Sequence, residues 1–483
     1  MNRKIIGRIL GFLLLLECVF LFPSVIVCLL HSEANALRAI VTTMVVSALL
    51  GCGLCLLCRK ADRHFYAREG FLITALGWIV LSLVGALPFW FSREIPSYVD
   101  AVFEVISGFT TTGASILPQV ESMSKGLLFW RSFTHWLGGM GILVFLLAVV
   151  PMGKGGYSVH ILRAESPGPS VGKLVPKLRQ TAAILYGIYV ALTVLNVIFL
   201  LLGDMPLFDS LCTAFGTAGT GGFGVKNDSM ASYSPYLQTV CTVFMALFGI
   251  NFSVYFFLLI GKVKQVLKSE ELWIYLCLML GSICLITLNI AFQHPTFRDA
   301  FHHAAFTVSS IMTTTGFATV DFDLWPQFSR SILVVLMICG ACAGSTGGGV
   351  KTARLILLVK SMRARLRQFL RPRSVNLVQV EGRTISDETI QGVNTYMAAY
   401  CAILVVSFLA LAIDGFSLET NLTAVLACLN NIGPGLGLVG PTGNYAMFSG
   451  GSKIVLMLDM LLGRLEIFPL LIMLSPHTWR RAG

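Results

Sequence analysis

Charge is what this chain has least of. Asp, Glu, Lys and Arg make up 12% of its 483 residues, about half the ~25% usual in a soluble globular protein. Hydrophobic residues make up 55%, and the mean hydropathy is +0.79. A soluble globular protein is excluded, and the usual inference from length to domain number fails with it. No polar stretch is long enough to fold alone; the longest runs from about Ser361 to Glu388. No cleavable leader is expected either. The first apolar run, Ile5 to Leu30, follows Arg3 and Lys4 but is too long for a signal core. It shows no small-residue cleavage site and reads as a retained helix.

Clustered catalytic and metal-ligating residues are also lacking. The 13 cysteines lie almost wholly in apolar segments. Cys52-x2-Cys55-x2-Cys58 and Cys339-x2-Cys342 have ligand-like spacing. The first set, however, sits in one continuous apolar helix, where a spacing of three spreads the sulfurs over a drifting face, and it has no nearby fourth ligand. Small, packable helix residues fit both sets better. His302-His303 is an isolated pair. The chain is therefore not expected to be an enzyme or to carry an organic cofactor.

What the chain does have is apolar runs near twenty residues, repeated along its length, and about twenty residues span a bilayer core. Its net charge of +11 is unevenly placed. Of 35 Lys and Arg, 26 fall in the N-terminus (Arg3, Lys4, Arg8), Arg59 to Arg68, Lys154 to Arg179, Lys262 to Lys268, Lys351 to Arg383 and Arg480-Arg481. These are alternate loops, and positive charge marks cytoplasmic loops. Both termini are expected inside, and the charge needs no nucleic-acid partner. The cluster Arg363-x-Arg365-x-Arg367-x3-Arg371-x-Arg373 also suits membrane lipid of anionic type or an acidic partner.

Four short segments resemble one another: Phe109-Thr-Thr-Thr-Gly-Ala114, Ala218-Gly-Thr-Gly-Gly-Phe223, Met312-Thr-Thr-Thr-Gly-Phe317 and Leu429-Asn-Asn-Ile-Gly-Pro434. In one register Gly113, Gly222, Gly316 and Gly433 share a column. Each segment sits in the same unit: long apolar helix, short amphipathic helix, Thr/Gly loop, second long helix. The predicted helices are Phe71–Phe91, Val99–Phe109 and Leu127–Pro151; Thr181–Leu202, Leu207–Gly216 and Leu237–Ile260; Leu272–Phe292, Phe297–Ile311 and Ser331–Val359; Ile390–Ile413, Leu418–Asn430 and Ile454–Leu474. An opening pair, Ile5–Leu30 and Ala36–Cys58, precedes them.

The expected fold is an all-α integral membrane protein. It has four tandem helix–pore helix–filter loop–helix repeats around one central pore, plus the N-terminal pair. The expected units are 1–69, 70–178, 179–268, 269–385 with an intramembrane gate loop, and 386–483. About ten helices would cross the membrane and four would reach halfway.

The short helices are too short to cross, since eleven residues rise roughly 16 Å, about half the core. Each must enter and turn back, and irregular backbone at that depth survives only in protein or facing water. Asp100 and Asp209 each stand thirteen residues before their loop glycine and suit an N-cap; His303 and Thr420 hold that register in the other copies. The four helix C-termini, each worth about half a negative charge, would point at the loops and favour a cation. Main-chain carbonyls just before each glycine would replace its water: Thr111 and Thr112, Thr220 and Gly221, Thr314 and Thr315, Asn431 and Ile432. The second loop lacks the Thr-Thr-Thr run and is expected to be looser.

The segments Gly-Phe-Thr-Thr-Thr-Gly-Ala (108–114), Gly-Gly-Phe (221–223), Thr-Thr-Thr-Gly-Phe (313–317) and Leu-Asn-Asn-Ile-Gly-Pro-Gly-Leu-Gly (429–437) carry a resemblance. Cys-Ala-Gly-Ser-Thr-Gly-Gly-Gly (342–349) and Gly-Arg-Leu-Glu-Ile-Phe (463–468) add to it. Over essentially its whole length the chain resembles the membrane subunit of the Trk potassium uptake system, in the Trk/Ktr/HKT superfamily. The resemblance implies potassium as the transported ion, the eight carbonyls above as its ligands, and Gly113, Gly222, Gly316 and Gly433 as filter glycines. In that family a serine in place of the first glycine goes with sodium transport, so Gly113 favours potassium. A proton- or sodium-coupled potassium symporter would use the same loops.

Gly344-Ser-Thr-Gly-Gly-Gly-Val-Lys-Thr352 looks like a phosphate-binding loop. Val350, however, separates the last glycine from Lys351, and no βαβ context surrounds it. Its glycines should instead break a helix, at about 1 kcal/mol each relative to alanine. The resemblance makes Gly344, Ser345, Thr346, Gly347, Gly348 and Gly349 an intramembrane gate, with Lys351 near its cytoplasmic end. Arg464, in the last apolar helix, must face water or a partner. By resemblance it projects into the conduction path as an electrostatic barrier; a structural salt bridge is the rival. The resemblance further implies a homodimer with one pore per protomer and a cytosolic ring subunit with nucleotide-binding domains. Lys154–Arg179 and Arg363–Arg373 are the basic docking surfaces.

Overall fold

The computed structural model describes residues 2–59, 67–141, 178–372 and 377–479. The predicted continuation of a helix to Pro151, the basic segment Lys154 to Arg179 and Arg480-Arg481 lie partly or wholly outside these residues. The opening pair is Arg3–Leu30 and Ala34–Leu57, joined by a tight turn and packed along one another. Cys55 fills the groove over Gly11, where a Cβ would come within 2.8 Å of its sulfur. Packing thus accounts for that cysteine, and small residues let apolar helices approach without a hydrophobic driving force.

Each repeat opens with a long apolar helix. These are Ala67–Gly85 continued by Leu87–Phe91, then Leu178–Leu201, Glu270–Ile290 and Asp387–Leu411. Each then has a short pore helix: Tyr98–Phe109, Leu207–Gly219, Phe297–Met312 and Leu418–Leu429. The predicted caps are corrected. Ser97, Thr296 and Ser417 are the N-caps, each accepting the N–H of the residue three on, and Pro206 starts the second helix. Asp100 and Asp209 sit inside the first turn instead, where a carboxylate still meets the positive helix end. In three repeats the cap lies sixteen residues before the loop glycine; in the third it lies twenty before, one extra turn. His303 is therefore inside its helix, not at its start.

The second long helices differ most from expectation. The one predicted over Leu237–Ile260 is two helices, Pro235–Phe248 and Phe252–Leu259, bent by 88°. The fourth is Gly450–Arg464 and Phe468–Leu474, with Glu466 and Ile467 between them at φ +58° and +66°. The third breaks as predicted, between Gln327–Cys339 and Thr352–Leu370. The first runs over Lys125–Gly139. Hydrophobicity alone does not signal these breaks, because each is set in long apolar sequence with few polar residues, Asn251 in the second repeat and Arg464 with Glu466 in the fourth. Among the described residues six helices are long and apolar enough to cross a membrane, with the 88° pair as a seventh broken span. A two-residue hairpin, Gln379–Val380 with Arg383–Thr384, is the one described departure from an all-helical chain.

Candidate functional site

The four loops have one backbone conformation. Thr111, Thr220, Thr314 and Asn431, each two residues before the glycine, have φ of +56°, +53°, +61° and +56°. Gly113, Gly222, Gly316 and Gly433 follow at +80°, +75°, +85° and +98°. After each left-handed residue the next N–H reaches back five positions: Thr112 to Ser107, Gly221 to Gly216, Thr315 to Ser310 and Ile432 to Ala427, at 2.8–2.9 Å. This is the Schellman way of closing a helix, here with Thr or Asn where glycine is usual. Holding an L-residue left-handed costs of order 1–3 kcal/mol. Reversing handedness at alternate residues aims successive peptide groups to one side, as in anion-binding nests. Here it is the carbonyl side that is left over.

The loops close on one another. A Cβ on Gly113 would overlap the carbonyl oxygen of Gly221; on Gly222, that of Thr315; on Gly316, that of Ile432; on Gly433 it would lie 2.8 Å from that of Thr112. Each glycine thus abuts a carbonyl of the next repeat, and the fourth returns to the first. All four glycines line a single cavity of about 150 Å³, together with Arg131, Lys226 and Tyr445. Asn431 Nδ2 donates to Thr112 Oγ1 at 2.9 Å and sews the fourth loop to the first. Among the described residues, no hydrogen-bond donor reaches the main-chain oxygens of Thr111, Thr112, Thr220, Gly221, Thr314, Thr315, Asn431 or Ile432. All eight residues are buried.

The second loop keeps the shared conformation and has a brace of its own. Gly221 makes room for the imidazole of His135, which a Cβ there would strike. His135 Nε2 accepts the Phe223 N–H at 3.2 Å, so Nδ1 carries the proton and donates to the Gly108 carbonyl at 2.8 Å. In the first and third loops hydroxyl pairs do the bracing, Thr110 with Thr112 and Thr313 with Thr315, each at 2.8 Å.

Ion pairs that the sequence did not reveal brace the loops and tie the repeats together. Arg131 Nε meets Glu104 Oε1 at 2.6 Å, both buried. Glu104 also accepts from Ser115 Oγ and the Ile116 N–H at 2.9 Å, while Arg131 donates to the Gly224 carbonyl at 3.1 Å. The pair therefore clamps the exits of the first two loops. Lys453 pairs with Asp100 at 2.7 Å across the fourth and first repeats. Arg330 pairs with Asp323 at 3.0 Å and with Glu419 across the third and fourth. Scarcity was the usable signal, since a charge in an apolar segment needs a partner.

Below the ring lies the segment from Gly340 to Lys351. The Gly348 N–H donates to Thr314 Oγ1 at 2.6 Å. Thr346 Oγ1 donates to the Phe248 carbonyl at 3.3 Å. Cys342 N–H donates to Gly249 and Phe252 N–H to Gly344, at 3.0 and 3.1 Å, docking the 88° bend against the segment. Ser345 turns back on the Cys342 carbonyl at 2.6 Å. Lys351, 2% exposed, donates to the Gly347 carbonyl. Arg464 crosses from the fourth repeat. Its guanidinium donates to the Thr346 carbonyl at 3.0 Å, to Gly139 at 2.7 Å and to Gly138. Its sequence neighbours face elsewhere, Glu466 to Arg354 and Asp459 to Ser407.

Fold and site together define a class: an integral membrane protein whose four re-entrant repeats surround one pore. The family of cation transport proteins named TrkH matches residues 36–480. The chain is 36% identical over 488 residues to the Trk system potassium uptake protein TrkH of Salmonella typhimurium, covering 99% of this chain and 100% of that one. It is 31% identical to the Trk system potassium uptake protein TrkG of Escherichia coli K12, covering 99% of each. The crystal structure of the potassium transporter TrkH from Vibrio parahaemolyticus matches with a TM-score of 0.90 at 34% identity, covering 99% of this chain and 100% of that one. The chain belongs to the TrkH family, a family of transporters and not of enzymes.

Proposed function

We propose that the chain takes up potassium across the cytoplasmic membrane through a filter of backbone carbonyls, with both termini inside. The carrying observation is the closed ring of loops with eight buried carbonyls that no described donor reaches. Buried carbonyls are ordinarily paired, and a ring of them can stand in for the hydration shell of a cation. The relatives are named for potassium uptake, which supports the choice of ion. The segment from Gly344 to Gly349, with Lys351 and Arg464, is proposed as the gate, because it lies directly under the third loop and Arg464 ties it across to the first repeat. Control by a cytosolic nucleotide-binding subunit docking on the basic loops, and pairing as a homodimer, extend this reading, as do the repeat boundaries 70–178, 179–268, 269–385 and 386–483.

Purified protein in liposomes tests it. Potassium or rubidium influx should follow the imposed electrochemical gradient and resist competition by sodium. Influx that instead needs an imposed proton or sodium gradient would favour the coupled symporter. No potassium or rubidium influx under any gradient, with or without a cytosolic partner, would overturn the uptake reading.

A further inference from the structure

One carboxylate that the uptake reading leaves unused holds the start of the segment proposed as the gate. Glu271 is the second residue of the helix Glu270–Ile290, which opens the third repeat. Its Oε1 accepts the Ala343 N–H at 2.6 Å. Ala343 stands just before Gly344, so the carboxylate fixes the start of the loop. The far end is tied back to that start by backbone, the Thr352 N–H donating to the Ala341 carbonyl at 3.1 Å. Asn251 sits in the 88° bend of the second repeat, and its side chain lies beside Gly344. Loop and bend therefore meet next to the residue that the carboxylate holds.

Cations hold the rest of the loop. Lys351 donates to the Gly347 carbonyl and Arg464 to that of Thr346, while Arg354 just beyond is paired with Glu466. The loop carries no acid of its own, and Glu271 is the carboxylate bonded to its start. Hydrogen bonds to an ionised acceptor are about twice as strong as neutral ones, so a carboxylate here does more than an amide would.

We infer that Glu271 is a positioning residue for the gate: through Ala343 it staples the start of the Gly344–Gly349 loop to the first turn of the helix that opens the third repeat. The inference rests on the gate reading above. Losing a hydrogen bond to a charged group shifts an equilibrium roughly ten- to a hundred-fold. Glu271→Ala should therefore raise rubidium influx into liposomes, measured without any cytosolic partner, by about tenfold or more. Glu271→Gln keeps one acceptor oxygen and loses the charge, so its influx should fall between the two. Sodium competition should stay at the parent's level, because the loops above are untouched.

Labelling of Cys342 by a permeant maleimide, read by mass spectrometry, supplies a second readout. Cys342 is buried next to Ala343 and should label faster in the variants. Cys212 and Cys428, buried in pore helices, should stay protected. A third variant lacking residues 347–349 separates this inference from the one beneath it. If the deletion raises influx while both Glu271 variants keep the parent's influx and labelling, the staple is wrong and the gate stands. If the deletion leaves influx unchanged, the gate reading falls and the staple with it. Should Glu271→Ala also expose Cys212 and Cys428, it has unfolded and Glu271→Gln decides: raised influx supports the staple, and the parent's influx overturns it.

Discussion

At the residue scale, side chains are secondary in this ring to backbone angles. Gly113 has φ of +80° and abuts the Gly221 carbonyl. A serine there meets both difficulties, an angle that costs about 1–3 kcal/mol and a Cβ in the space of an oxygen. The simplest relief is displacement of the Gly221 carbonyl, which loosens one wall of the ring. Gly113→Ser is therefore expected to lower the potassium-over-sodium preference by about tenfold, the ratio that corresponds to 1.4 kcal/mol. Ion-competition uptake in a potassium-requiring strain measures it, and unchanged preference would count against the filter. The glycines were legible because four of them recur in register. The left-handed Thr111, Thr220, Thr314 and Asn431 were not, since threonine carries no signal for that conformation. Nor was His135, whose partner Gly221 looked like a weakness of the second loop and is in fact the space that the imidazole fills.

At the scale of elements, helix starts and helix breaks had unequal visibility. The pore helices were placed within a few residues by their length and amphipathic spacing. The first two caps were missed because Asp100 and Asp209 in the first turn were taken for them, while Ser97 and Pro206 three residues earlier hold that position. The third helix break was readable from its glycines. The second and fourth are marked only by Asn251 and by Arg464 with Glu466 in otherwise apolar sequence, and are held by tertiary contacts instead, Gly249 to Cys342 and Arg464 to its three carbonyls.

The fourth break matters for the proposed barrier. Leu465, Glu466 and Ile467 turn the chain so that Arg464 faces the first and third repeats while Glu466 faces Arg354. Removing the guanidinium takes away a positive charge below the ring and the bond to Thr346 that holds the loop. Arg464→Ala is expected to raise partner-independent rubidium flux in liposomes several-fold. A flux equal to the parent's would place the barrier elsewhere.

At the scale of the whole molecule, the ring closes inside one chain. Gly433 of the last repeat abuts Thr112 of the first, and Asn431 bonds the same residue. Nothing in that circuit waits for a second protomer. Lys453 with Asp100 repeats the closure, and Arg330 with Glu419 joins neighbouring repeats. An assembly of two chains must then contain two rings, not one shared between them. Gly222→Asp offers a way to count them, because a side chain there overlaps the Thr315 carbonyl and adds a charge in the ring. Co-expressing the parent with this variant under separate tags, purifying doubly tagged dimers and reconstituting them should give half the parent's flux per dimer. Two rings that act independently also require the remaining flux to keep the parent's potassium-over-sodium preference. A doubly tagged dimer with no flux would mean that the chains share one path, and the closed circuit of four loops would not be the conducting unit.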